Sequence, residues 1–155
     1  MILVEQVHKS FPDGKFEKIV LHDISFQINK GEVVTLLGES GCGKSTLLQI
    51  IGGFMKPTEG EVYIENSIVT KPVRKCVTVF QDGNLLPWRN VIDNVMLGLT
   101  GNKKENRKKA EAVLRFVGLE DYVYHYPHEL SGGMKQRVAI ARAFAMEPTV
   151  ILMDE

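Results

Sequence analysis

The stretch 38-GESGCGKST-46 decides how the rest of the chain is read. It fits G-x-x-x-x-G-K-[ST], in which glycines let successive backbone N–H groups turn inward around an anion. The helix that follows adds the positive end of its dipole. Its neighbours supply the context such a loop requires. Upstream, 33-VVTLLG-38 is a continuous apolar run that predicts a strand buried on both faces of a parallel sheet. Downstream, 44-KSTLLQIIGG-53 has apolar residues at helical spacing and ends on a glycine pair able to cap the helix. Gly38, Glu39, Ser40, Gly41, Cys42, Gly43, Lys44, Ser45 and Thr46 are therefore assigned to a phosphate cradle, with Lys44 reaching the β- and γ-phosphates and Ser45 binding Mg²⁺.

Working outward, strand and helix patterns alternate. The segment 2-ILVEQV-7 reads as a short strand, 12-PDGK-15 as turn chemistry, and 23-DISFQIN-29 alternates in the way of a half-buried antiparallel strand. Further strands are expected at 61-EVYIE-65 and 77-VTVF-80, and from Asp82 the pattern turns helical. Ala110, Val113, Leu114 and Val117 fall at i, i+3, i+4, i+7 before Gly118 stops the run, and a second helix starts after Ser131 and ends before Pro148. The last segment, 150-VILMDE-155, is a parallel strand that delivers two carboxylates. Beside a phosphate cradle, Asp154 holds the Mg²⁺ shell and Glu155 orients and deprotonates the attacking water.

Composition limits the alternatives. The chain has 155 residues, 44% hydrophobic and 25% charged, which is globular composition with enough length for one domain core. Lys plus Arg and Asp plus Glu balance at 19 each, so no whole-chain field points to nucleic acid. The basic run 103-KKENRKK-109 opens an amphipathic helix without interleaved aromatics and reads as a solvated face. Neither a basic leader nor a membrane-spanning apolar run is visible, which predicts a cytosolic chain. Cys42 and Cys76 have no CxxC spacing and read as reduced thiols.

Two further motifs bring a family into view. In 130-LSGGMKQR-137, Ser131, Gly132 and Gly133 at a helix start make a second anion site like the first. In 79-VFQDGNLLPWRNVIDNV-95, Gln81 is followed by an apolar turn, Leu85, Leu86 and Trp88 around Pro87. The order GCGKST, VFQD, LSGGMKQR, VILMDE resembles the ABC-type ATPases over essentially the whole chain. Met134 stands where the family commonly has glutamine.

That resemblance implies an α/β fold: a P-loop NTPase core with an N-terminal antiparallel β subdomain and an α-helical subdomain. One partial domain over 1–155 is expected, with 1–81 and 149–155 forming the β subdomain and core and 82–148 the helical part. ATP and Mg²⁺ are the implied cofactors. Gln81 would reach Mg²⁺ and the attacking water beside the catalytic Glu155, with Ser45 and Asp154 as further metal ligands. Phe11 matches the aromatic residue that stacks on adenine. Two copies would pair head to tail, Ser131, Gly132 and Gly133 of one closing over the ATP held by the other. Leu85, Leu86 and Trp88 would contact a membrane-spanning permease, with a periplasmic or extracellular substrate-binding protein as an indirect partner, nucleic acid as none, and the cytoplasmic face of the cell membrane as the location. The segment 85-LLPW-88 after Gln81, together with 128-HELSGGMKQRVAIARAF-144, looks most like importers of nitrate, sulfonate or taurine-type anions.

The family continues past the catalytic glutamate with another strand and a switch histidine, and none of the four histidines here takes that role. The resemblance thus predicts an incomplete domain with impaired hydrolysis, marginal stability and a slot of roughly 9 to 10 Å between Val33–Leu37 and Val150–Met153. A non-catalytic nucleotide-binding fragment and a soluble non-transport ABC ATPase stay open as alternatives.

Overall fold

The computed structural model describes residues 1–14, 16–80 and 83–154; Lys15, Gln81, Asp82 and Glu155 lie outside the described residues. The chain divides into two units, Met1–Val73 and Arg74–Glu155.

The first unit is an antiparallel sheet with one helix. Strands β1 (Ile2–Asp13), β2 (Phe16–Ile28), β3 (Glu59–Ile64) and β4 (Ser67–Ile68) are ordered β2-β1-β3-β4. The hairpin between β1 and β2 turns through Gly14, in the expected turn segment. Strict alternation along β1 would place Ile2, Val4 and Gln6 on one face. A register shift between Val4 and Val7, with Gln6 at φ 45°, changes the phase, so that Ile2, Val4 and Val7 are all buried. The Gln6 N–H donates to Ser25 Oγ at 2.9 Å across that irregularity. Helix α1 (Lys44–Ile51) adds Leu47, Ile50 and Ile51 to the buried set, which also includes Val62 and Ile64 of β3.

The run 33–37 departs from the sequence reading. It carries no strand, and Val33 and Leu37 are 95% and 89% exposed. A parallel strand exists only through its ladders, and among the described residues neither sheet pairs with this segment. Its apolar side chains therefore have no layer to bury them.

The second unit is mainly helical. Strands β5 (Cys76–Val79) and β6 (Val150–Met153) pair in parallel, Cys76 opposite Val150 through Val79 opposite Met153, as the last strand was expected to do. Between them lie α2 (Val91–Val95), α3 (Lys103–Phe116) and α4 (Gly132–Ala145). Asn102 caps α3 by accepting from the Lys104 N–H at 2.8 Å, and the Leu119 N–H returns to the Leu114 carbonyl at 2.9 Å where the helix stops. Helix α4 buries two faces. Val138, Ala141 and Ala145 pack with Val91, Ile92, Val95 and Leu114, while Ala139 and Ala143 pack on Val79 of β5. Small residues on that second face suit close approach to the strand. The basic run opens α3, where Arg107 bonds Glu111 at 3.1 Å and the Tyr124 hydroxyl at 2.6 Å.

Candidate functional site

In the first unit, Gly38–Thr46 forms a loop that ends at the start of α1. Gly43 is the hinge of this arrangement: its φ is 102°, and a Cβ there would come within 2.9 Å of Leu21 Cδ2 and 3.1 Å of the Val20 carbonyl. Both the left-handed backbone and the approach to β2 require glycine. The helix starts immediately afterwards, with no side-chain cap and no acidic residue in its first turn, so the positive end of its dipole has no local counter-charge from its own side chains. Lys44 folds back across the loop, its ammonium donating to the carbonyls of Gly38 at 2.8 Å and Glu39 at 2.7 Å, with Cys42 Sγ at 3.9 Å. Gly38, Glu39, Ser40, Gly41, Cys42 and Ser45 are exposed and Thr46 is half-buried. Phe11, on β1, is half-buried opposite Lys18, with the Lys9 ammonium 5.0 Å from its ring centroid.

In the second unit, Ser131 caps α4, its Oγ accepting from the Met134 N–H at 3.3 Å. Gly132 and Gly133 are exposed, and a side chain at either would meet nothing within 4 Å. Packing within the unit therefore does not ask for glycine at these positions. The first turn of α4, like that of α1, has no acidic residue, whereas α2 and α3 carry Asp93 and Glu105 there. Asp154 follows β6 and is half-buried, its N–H donating to the Val79 carbonyl at 3.0 Å, which extends the parallel ladder by one bond. The candidate catalytic residues Gln81 and Glu155 lie outside the described residues.

The apolar turn after Gln81 is held by a residue the sequence reading passed over. Asn94, fully buried in α2, accepts from the Leu86 N–H at 2.8 Å and donates to the carbonyls of Leu86, Arg89 and Asn90 at 3.2, 2.9 and 3.0 Å. The signal was present as a polar pair, Asp93 and Asn94, inside the otherwise apolar 91-VIDNV-95, of which Asn94 is the buried member. This anchorage leaves Trp88 outward and 72% exposed, Leu86 half-buried, and Leu85 packed into the helical core. Of the three residues expected to meet a partner, Trp88 is thus the one presented to solvent.

The model of the ABC transporter family matches residues 21–155. The taurine import ATP-binding protein of Pseudomonas aeruginosa is 43% identical over 157 residues, covering 99% of this chain and 60% of that protein. The nitrate import ATP-binding protein of Synechococcus elongatus is 44% identical over 160 residues, covering 99% of this chain and 24% of that protein. The chain therefore spans less than two thirds of the length of these relatives. Among solved structures, a dimeric ATP-binding cassette in a post-hydrolysis state bound to ADP and Pi has a TM-score of 0.91 and 38% identity, covering 100% of this chain and 74% of that one.

Proposed function

The chain belongs to the ABC transporter family and has its nucleotide-binding cassette fold, and from that premise we propose that it is the ATP-binding and ATP-hydrolysing subunit of an importer for a small anion such as a sulfonate, taurine or nitrate. The observation that carries the reading is the loop at Gly38–Thr46, where Gly43 locks against β2 and α1 begins with neither cap nor acid. That is a helix start arranged for an anion. Lys44 would exchange two carbonyls for phosphate oxygens, and an ammonium-to-phosphate contact is charge-assisted on both sides.

The remaining roles follow from the motifs. Phe11 stacks on adenine. Ser45, Gln81 and Asp154 are the oxygen donors assigned to Mg²⁺, a donor set suited to a hard cation, which when bound neutralises charge on the phosphates. Glu155 takes the proton of the attacking water and Gln81 orients that water. The freedom around Gly132 and Gly133 supports a role outside the unit, with Ser131, Gly132 and Gly133 of one copy closing over the nucleotide of a second. The exposure of Trp88 supports contact with a membrane-spanning partner, which would place the subunit at the cytoplasmic face of the membrane. Among the described residues no helix is long and apolar enough to cross a membrane.

Binding of a fluorescent ATP analogue with and without Mg²⁺, together with phosphate release, tests the reading. Saturable binding lost in Lys44→Ala, with turnover lost in Glu155→Gln, is the expected result. Binding without turnover would leave a nucleotide-binding module, and absence of binding would overturn the proposal.

A further inference from the structure

Arg142 lies on α4 among alanines, and its guanidinium is spent on main-chain oxygens: Nη2 donates to the Gly83 carbonyl at 2.5 Å and Nη1 to the Asn84 carbonyl at 3.0 Å. Both acceptors belong to a backbone that turns unusually, Gly83 at φ 67° and Asn84 at φ 44°. The turn is pressed onto the same helix. Gly83 is buried, and a Cβ there would lie 3.3 Å from the Lys135 carbonyl and 3.5 Å from Ala139 Cβ. The Gly83 N–H donates to the Phe80 carbonyl at 3.0 Å. One residue further, Leu85 packs into the helical core, Leu86 is held by Asn94, and Trp88 stands exposed. Burial of the guanidinium lowers its pKa, so placing a cation here has a cost that must be returned by what it holds. A planar fork can satisfy two carbonyls at once in a fixed geometry, and a lysine ammonium cannot reproduce it.

We propose that Arg142 is a positioning residue that straps Gly83–Asn84 to α4, so that the Trp88 segment and the Ser131 end of α4 move as one body. Ser131 precedes Arg142 by 11 residues on the same helix, about 16 Å of rigid rod. A displacement imposed at Trp88 is thereby delivered to Ser131–Gly133, and nucleotide engagement at Ser131–Gly133 is delivered to Trp88. The coupling rests on the function proposed above; the strap itself does not.

The intact protein, with Arg142→Lys and Arg142→Gln, separates the two. In hydrogen exchange, the amides of Gly83, Leu86 and Arg89 are expected to exchange on the order of tenfold to a hundredfold faster in both variants, while those of α3 keep their wild-type rates. Unchanged exchange at the turn, or an equal rise throughout the unit, would overturn the strap. Fluorescence of Trp88, the one tryptophan in the chain, is then followed during titration with Mg-ATP. A wild-type response that disappears in the variants, with ATP affinity kept within about twofold, is the expected result. A missing wild-type response despite ATP binding, or a response that persists in Arg142→Lys, would overturn the coupling. If the wild-type protein binds no ATP, the functional reading fails, and hydrogen exchange alone still decides the strap.

Discussion

The side-chain amide of Asn94 and the backbone of Leu86 close a two-way hydrogen-bonded ring, Oδ1 accepting from the Leu86 N–H at 2.8 Å and Nδ2 donating to the Leu86 carbonyl at 3.2 Å. The same Nδ2 also bonds the carbonyls of Arg89 and Asn90, so one buried group ties the Leu86–Asn90 part of the turn that carries Trp88 to α2. Replacing it by alanine strands an N–H and several carbonyls beneath the turn, each costing about 1 to 3 kcal/mol where water cannot reach. Asn94→Ala should lower stability by about 3 kcal/mol in urea unfolding and reduce the anisotropy of Trp88. Asn94→Asp keeps the acceptor but turns a carboxylate toward three carbonyls, and should be at least as damaging at neutral pH.

Lys44 spends its charge on the Gly38 and Glu39 carbonyls, which are also reachable by water in this exposed loop. Its loss should therefore matter little to the fold and much to phosphate. Lys44→Ala is expected to change unfolding free energy by no more than about 0.5 kcal/mol. The affinity for an ATP analogue should fall by about tenfold to a hundredfold, the worth of a hydrogen bond to a charged group. A large stability loss with affinity intact would show that Lys44 serves the loop and not the ligand.

Much of this architecture was legible because local rules dictate it. Ser131 accepts from the Met134 N–H at the helix start it was expected to cap, and α3 stops before Gly118, as the apolar spacing required. What the sequence did not disclose depends on distant partners. Val33–Leu37 has the composition of a buried strand, but composition cannot supply a neighbouring ladder, and the segment is left without a strand, Val33, Val34 and Leu37 exposed. Asn94 and Arg142 each interrupt an apolar pattern without a role that the motifs assign, and their meaning appears only when the carbonyls they satisfy are in view. For the candidate site, the two helix starts lacking acids were readable from the motifs, while the fixed exposure of Trp88 was not.

Gly132 and Gly133 offer a test in which stability and function change in opposite directions. Both begin a helix, both have open space where a Cβ would go, and glycine costs up to about 1 kcal/mol relative to alanine in a helix. Gly132→Ala and Gly133→Ala should therefore stabilise the chain by a few tenths to about 1 kcal/mol. If these glycines make room for the nucleotide of a second copy, the same substitutions should weaken ATP-dependent self-association, measured by sedimentation with and without Mg-ATP. Stabilised variants that associate as well as the wild-type protein would remove these glycines from the interface.

The two cysteines should separate by their rates of labelling. Cys42 is exposed in the phosphate loop, whereas Cys76 is buried at the start of β5, and burial raises its thiol pKa from 9.0 to about 11. A disulfide reagent at pH 8 should therefore label Cys42 quickly and Cys76 only on the timescale of unfolding. Linkage fixes the direction of the stability effect. The folded state holds the Cys76 proton more tightly than the unfolded state, so this contribution is fully present below about pH 9 and is lost as the pH rises toward 11. Urea midpoints should fall across that window in the wild-type protein and fall less in Cys76→Ala, whose overall stability is lower but no longer linked to a thiol at that position. Equal slopes in the two proteins would assign the alkaline loss to other groups, and rapid labelling of Cys76 at pH 8 would show that β5 opens without unfolding of the helical unit.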